Sequence, residues 1–286
     1  MHSHRDGRIS DSVAIVSGGL DSTVLVYDML SRGLTPHMIS FNYGQKHKKE
    51  LYYAQSTASK MDLPHDIIDL SNITNLISNS SLTSDMEVPD GHYAEENMKA
   101  TVVPNRNMIM MSIAAGVAVN EKARTIGIGV HAGDHFIYPD CRPKFISQME
   151  QAILTANEGF HDLEAATLRT SGGFHIAQGR EQEYAQAAES LGFAPEEEAI
   201  GTIYAPFLNK TKADIAYRAL ELRVPFHETW SCYKGGEYHC GTCGTCVERL
   251  EAIHEALGRF DAPRYDGTNY MDTEFWKTAK APDAGE

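Results

Sequence analysis

Residues 12–23 read Ser12-Val13-Ala14-Ile15-Val16-Ser17-Gly18-Gly19-Leu20-Asp21-Ser22-Thr23, and this stretch decides the fold. Residues 12–16 are a short, mostly β-branched apolar run, the pattern of a strand buried on both faces. A glycine-bearing turn follows at 17–22, and Thr23 to Leu30 then reads as a helix ended by Gly33. Gly18 and Gly19 permit positive φ and let backbone N–H groups approach an anion with no Cβ in the way. The following helix adds the partial positive charge of its N-terminus, and Ser17, Ser22 and Thr23 offer hydroxyl donors. The turn is therefore read as a phosphate cradle. It lacks the G-x-x-x-x-G-K-[ST] pattern of the P-loop and carries Asp21 where that loop has its lysine.

Working outward, strands and helices alternate. Pro36 to Phe41 predicts a second strand, residues 48–60 a helix and Asp66 to Leu70 a third strand. Residues 71–101 read as a long polar loop with short helical pieces. Pro104 to Lys122 predicts a helix, Thr125 to Val130 a strand, and Pro143 to Ala156 another helix. Thr202 to Ala205 and Lys212 to Leu222 continue the alternation, the latter helix capped by Thr211 or Asn209. A final helix is expected from about Cys246 to Leu257. This order implies an α/β fold, a doubly wound, Rossmann-like parallel sheet covered on both faces. Boundaries are expected at 11–230 for this domain, 231–262 for a cysteine-bearing segment with its helix, and 263–286 for a tail. Residues 158–200 break the rhythm, and 161–200 reads as an insertion, with a helix at 180–191.

The chain has 286 residues and a formal net charge of −14. So acidic a surface argues against a chain built to hold nucleic acid or an anionic membrane, both of which need neutralising Lys and Arg. No apolar run approaches the roughly 20 residues of a membrane-spanning helix. The first residues carry no stretch resembling a secretory signal, so a cytoplasmic enzyme is expected.

Four of the five cysteines, Cys232, Cys240, Cys243 and Cys246, are spaced C-x7-C-x2-C-x2-C. Small residues fill the x2 gaps, so four thiolates can surround Zn2+ tetrahedrally. With all four ligands supplied by protein, the site is expected to be structural. Two disulfides are the rival reading, disfavoured without a secretory signal. Cys141 stands alone as a small, partly buried side chain.

The Ser-Gly-Gly-Leu-Asp-Ser turn resembles the pyrophosphatase loop (PP-loop) of the N-type ATP pyrophosphatases, which cleave ATP between its α- and β-phosphates. Further segments resemble one family among them, the 7-cyano-7-deazaguanine synthases of queuosine-precursor biosynthesis. These are Phe41-Asn42-Tyr43-Gly44-Gln45-Lys46-His47, Val103-Pro104-Asn105-Arg106-Asn107, Tyr138-Pro139-Asp140-Cys141-Arg142-Pro143, and Thr229-Trp230-Ser231-Cys232-Tyr233 leading into the cysteines. The resemblance runs in order from residue 12 to about 250. Two departures stand out: Phe-Asn-Tyr-Gly in place of the commoner Phe-Asp-Tyr-Gly, and a longer 161–200 connection. The resemblance implies an ATP-dependent ligase that turns 7-carboxy-7-deazaguanine and ammonia into the nitrile, by adenylating first the carboxylate and then the amide. It also suggests a homodimer.

Within that chemistry, Ser17, Gly18, Gly19, Leu20, Asp21, Ser22 and Thr23 are expected at the ATP phosphates, with Asp21 alternatively reaching Mg2+. Lys212, at a helix start beyond a strand, is expected to bring positive charge to the leaving pyrophosphate. Arg106 opens a helix where positive charge is unfavourable, so an anion partner is expected. Asp140, or alternatively Asp134, is the acceptor for the guanine edge. Tyr138 or Phe136 is the stacking ring, and Arg142 the partner of the substrate carboxylate. The His131/His135 spacing is read as coincidence within a loop. Rival readings are a zinc-bearing nucleic-acid binder using Lys234, Arg249 and His239, a tRNA-modifying adenylating enzyme, and a relative using another amine acceptor. The 161–200 segment is expected to act as a flap or dimer contact.

Overall fold

β1 (Ser12–Ile15) is the middle strand of a five-stranded parallel sheet in the computed structural model. The structure describes residues 10–45, 48–72, 80–82, 96–158, 202–235, 239–259, 264–265 and 268–269. The strand order is β3 (His65–Asp69), β2 (Pro36–Asn42), β1, β4 (Thr125–Gly127), β5 (Ile203–Tyr204). Ser12 stands opposite Pro36 on one side and Thr125 on the other. The chain therefore winds outward through β2 and β3, then returns to β1's other flank. In such sheets, the crevice beyond the carboxyl ends of the strands at the reversal is where ligands bind.

Among the described residues six α-helices complete the unit: α1 (Leu20–Ser31), α2 (Lys49–Met61), α3 (Arg106–Glu121), α4 (Pro143–Ala156), α5 (Lys212–Glu221) and α6 (Gly244–Arg259). The alternation along β1 sorts the core. Ala14 and Val16 pack with α1, α2, α5 and α6 on one face, while Val13 packs with α3 and α4 on the other. The doubly wound sheet expected from the sequence is the one observed. α6 packs into the same core as α1 and α5 through Ala252, Ile253 and Ala256.

β4 is shorter than expected, ending at Gly127 rather than Val130. A Cβ at Gly127 would lie 2.6 Å from Met29 Sδ, and one at Gly129 3.2 Å from the backbone of Asp21 and Ser22. The Ile128 N–H still donates to the Tyr204 carbonyl at 2.9 Å, and the chain then runs against the start of α1 at Gly129, where a side chain would crowd the backbone. Of the 71–101 stretch, Glu96–Thr101 is a 3-10 helix. The helical run Lys99–Glu121 is long and apolar enough to cross a membrane by length and composition, contrary to expectation. Its apolar residues Met110, Met111, Ala114, Ala115 and Ala118 are instead buried in the α3–α4 side of the core. In the expected tail, β6 (Arg264–Tyr265) pairs antiparallel with β7 (Thr268–Asn269). The segment read as an insertion at 161–200, with its helix and flap, lies outside the described residues.

Gly18 has φ +90°, and a Cβ there would lie 2.0 Å from the Glu50 carbonyl oxygen of α2. Gly33 has φ +79° but open space around it. Gly33→Ala should therefore cost only the left-handed strain, about 1–2 kcal/mol, and Gly18→Ala clearly more. Urea midpoints of the two variants check this; equal losses would contradict the close approach.

Candidate active site

The turn after β1 holds itself open. The Ser17 and Ser22 hydroxyls are 3.1 Å apart, the Gly19 N–H donates to Ser17 Oγ at 3.1 Å, and the Ser17 N–H donates to Ser22 Oγ at 3.1 Å. Gly18 rests on α2, and its carbonyl accepts the Trp230 N–H at 2.9 Å. Ser17, Gly19, Leu20, Asp21 and Ser22 face a cleft of about 1110 Å³, measured out to its open mouth, at the β1/β4 reversal. Gly18 backs the loop, and Thr23 is buried beneath it.

α5 delivers a cation to this loop. Thr211 caps it, accepting the Asp214 N–H at 3.2 Å while Asp214 accepts the Thr211 N–H at 2.8 Å. The next residue, Lys212, extends from this fixed first turn into an ion pair with Asp21, 3.8 Å from Glu248 Oε2. Burial opposes the lysine's charge, but Asp21 and Glu248 outweigh it and hold its pKa above the ordinary value. Burial pushes Glu248 up, and Lys212 pulls it partly back. Asp21 Oδ1 is buried with no hydrogen-bond partner.

Across the cleft lies Arg106. Its guanidinium carbon is 5.9 Å from the centre of the Tyr43 ring and 5.6 Å from that of Tyr138, cation–π distances. Burial disfavours its charge, yet Tyr43, Tyr138 and Tyr233 hold its pKa above the usual arginine value. Burial, with Glu50 nearby, pushes Tyr43 up to about 12. The conflict with the helix N-terminus is resolved locally: Asp140 Oδ2 accepts the Asn107 N–H at 3.0 Å, placing a carboxylate where the amides of α3 begin.

The structure engages two of the expected substrate contacts elsewhere. Asp140 braces α3 and does not line the cleft, and Arg142 is exposed, donating from Nε to the His135 carbonyl at 2.8 Å. The Tyr138–Arg142 segment turns so that Asn107 also donates to Cys141 Sγ at 3.0 Å, which uses Asp140 for scaffolding. Phe136 is 79% exposed and away from the cleft. Asp134 and Tyr138 do line it. His131 caps a 3-10 turn, Ala132–Phe136, that contains His135. The Gly133 N–H donates to His131 Nδ1 at 3.0 Å, so a neutral ring carries its proton on Nε2, 3.6 Å from Asp134 Oδ1.

Several cleft residues escaped the sequence reading: Tyr43, Glu50, Trp230, Tyr233 and Glu248. Tyr43 was within reach, because it lies in the Phe41–His47 segment that carries the resemblance. Glu248 follows the last cysteine by two residues, hidden in a segment read as closed and structural.

The four cysteine sulfurs lie within 4.8 Å of one another, Cys240 and Cys246 at 3.9 Å, with none in a disulfide. Zn–S bonds of about 2.3 Å at tetrahedral angles would set sulfurs about 3.8 Å apart, so this donor set fits a thiolate metal site. The Cys240 N–H points at Cys232 Sγ (3.4 Å) and the Cys243 N–H at Cys240 Sγ (3.3 Å), donors suited to thiolate charge. The segment also walls the cleft with Trp230, Ser231, Thr245 and Glu248. Arg249, fully buried, donates to Ser231 Oγ at 2.9 Å and to the Phe226 carbonyl at 2.6 Å. Buried there, it is out of reach of a nucleic-acid phosphate.

The sequence profile of the family described as "Queuosine biosynthesis protein QueC" matches residues 11–170 and 179–257. The chain belongs to the QueC family. The chain is 43% identical over 268 residues to the 7-cyano-7-deazaguanine synthase of Rhizobium rhizogenes, covering 94% of this chain and 95% of that one. The Brucella ovis protein of the same name is 43% identical over 266 residues, 93% of this chain and 96% of its own. Among solved structures, the NMN synthetase of Francisella tularensis aligns with TM-score 0.32 and 13% identity, over 66% of this chain and 81% of that one. In this QueC protein the unmatched residues 171–178 fall inside the 161–200 segment.

Removing Lys212 leaves the carboxylates of Asp21 and Glu248 facing each other in a partly closed cleft. Lys212→Met should lower stability by about 2–4 kcal/mol at pH 8, less than for a fully buried pair because the cleft is open. Glu248's folded pKa already lies above its unfolded value, so its contribution to stability falls as pH rises through that interval. The variant should widen that fall, making its deficit smaller at pH 5 than at pH 8. Urea midpoints at the two pH values check this; a pH-independent deficit would contradict the pairing.

Proposed function

We propose that this chain is a 7-cyano-7-deazaguanine synthase, joining ammonia to 7-carboxy-7-deazaguanine at the expense of ATP. One observation carries the reading: the phosphate loop with Lys212 and the Arg106–tyrosine wall with Asp134 face each other across a single cleft at the strand reversal. A nucleotide and a planar base that must react together need such a pair of opposed walls.

The amides opening α1 and the hydroxyls of Ser17 and Ser22 take the β- and γ-phosphates. Lys212 offsets the charge that develops on the departing pyrophosphate. Arg106 holds the substrate carboxylate against the α-phosphate, where an oxygen attacks and the acyl-adenylate forms. Tyr43, Tyr138 and Tyr233 supply apolar faces for the deazaguanine ring, and Asp134 accepts from its N1–H and exocyclic amine. Ammonia displaces AMP to give the amide. A second adenylation, on the amide oxygen, allows loss of AMP and protons to the nitrile. The buried Asp21 Oδ1 suits it to hold Mg2+, which would neutralise phosphate charge. The four cysteines hold Zn2+, fixing the wall that carries Trp230 and Glu248. We place the adenylating domain at 11–230 and the cysteine segment at 231–262, in a cytoplasmic homodimer. A tRNA-modifying adenylating enzyme is disfavoured by the acidic charge and the burial of Cys141.

Purified protein given ATP, ammonium and 7-carboxy-7-deazaguanine should release AMP only when the base is present, with two AMP per nitrile. AMP release without the base, or none with it, would overturn the reading. Metal analysis should find one Zn2+ per chain. Cys243→Ser should lose that metal and lower the urea midpoint, since ligand geometry exists only in the folded chain. Full stability without metal would contradict the zinc site.

A further inference from the structure

Making a nitrile from ammonium and a carboxylate releases protons, so the cleft needs a group that accepts them. Most candidates are engaged or unsuited. Asp21 is paired with Lys212, and Glu248 lies 3.8 Å from the same ammonium. Asp134 Oδ2 accepts the His131 N–H at 3.1 Å. His131 has its Nδ1 lone pair occupied by Gly133 N–H, so its ring offers the cleft no basic nitrogen. Burial pushes the Cys141 thiol far above its ordinary range, making a thiolate base inaccessible.

Glu50 is left. It stands in the first turn of α2, with its backbone carbonyl against Gly18 of the phosphate loop and its side chain lining the cleft. Its Oε1 accepts from Gln45 Nε2 at 3.1 Å, and Gln45 is itself fixed, donating to the Phe41 carbonyl at 3.2 Å and accepting the Tyr43 N–H at 2.9 Å. Among the described residues no cationic side chain lies within ion-pair distance of it. The titratable groups facing it there are Tyr43, from the loop after β2, and Arg106, from α3. Both flank the space where the proposed adenylate forms.

We propose that Glu50 is the ammonium subsite and general base of the cleft. This inference rests on the synthase reading above. The carboxylate binds an ammonium ion and takes one N–H proton, leaving ammonia with its lone pair free. That pair forms the C–N bond to the acyl-adenylate carbon, the C–O bond to AMP breaks, and AMP leaves with its electrons. Glu50 gives its proton to solvent and takes the next from the new C–N group, yielding the amide. In the second cycle it takes one N–H proton as the amide oxygen is adenylated, passes it to solvent, and takes the other as the C–O bond breaks, AMP leaves with its electrons and C≡N forms. Burial, opposed by the Gln45 hydrogen bond and Arg106, raises its pKa to about 7, the range in which a carboxylate works best as a base at neutral pH.

The experiment compares ammonium with hydroxylamine, a nucleophile already unprotonated at neutral pH. In the unaltered enzyme, kcat/KM for total ammonium should rise with pH and level off above about 7. A rise continuing towards the pKa of ammonium itself would mean free ammonia is drawn from solution, overturning the proposal. Glu50→Gln should lose about 100-fold or more in ammonium-dependent turnover, in line with general-base contributions. It should still trap the acyl-adenylate with hydroxylamine at a rate near that of the unaltered enzyme. Equal loss with both nucleophiles, or no loss with ammonium, would overturn it. Absence of base-dependent pyrophosphate exchange in the unaltered enzyme would instead overturn the synthase reading.

Discussion

The left-handed peptide at Gly18 ties together every part of the cleft. On one side it starts the turn into α1, whose first residues line the cleft. Its Cα is packed so tightly on the Glu50 carbonyl that no side chain fits between them. Its own carbonyl accepts the Trp230 N–H that begins the cysteine segment. One glycine thus sets the distance from the 17–22 turn to α2 and to the wall that carries the cysteines. If that residue moved, Glu50 and Trp230 would move with it.

The electrostatics of the cleft follow from this packing. Asp21, Glu50, Asp134 and Glu248 face two cations, Lys212 and Arg106. The surplus of carboxylate is tolerated in two different ways. Near the loop it is paired, Lys212 being held charged between Asp21 and Glu248. At Glu50 it is tolerated by protonation. Because the folded pKa is raised from 4.5 to about 7, Glu50 costs no stability below about pH 4.5 and its full penalty above 7. The protein therefore keeps at this position a group that weakens it at working pH. That is the usual sign of a residue kept for its chemistry rather than its packing.

Much of this was legible in the sequence because the relevant signals are local. The β-branched run at 12–16, the glycine stop at Gly33 and the Thr211 cap each act within one element, and each appears where expected. The cysteine spacing likewise needs only short turns, and its four sulfurs converge. What was not legible depends on how a segment is turned in three dimensions. Asp140 and Arg142 lie in a motif that resembles the family, but the chain turns Asp140 onto the α3 N-terminus and Arg142 to solvent. The rings that flank Arg106, those of Tyr43 and Tyr138, are 95 residues apart in sequence, so this aromatic setting was not readable from its helix position. Glu50 and Glu248 were missed for a similar reason. Their neighbours in sequence give no hint that they line one cleft with the 17–22 turn.

One cleft must serve both nucleotide and base if the two are to react there. The direct measurement is a crystal structure with a non-cleavable ATP analogue and 7-carboxy-7-deazaguanine bound together. It should show the triphosphate on the 17–22 turn beside Lys212, the base between the tyrosine rings with its guanine edge at Asp134, and its carboxylate at Arg106. A base bound away from the Arg106 wall, or a triphosphate off the turn, would contradict it.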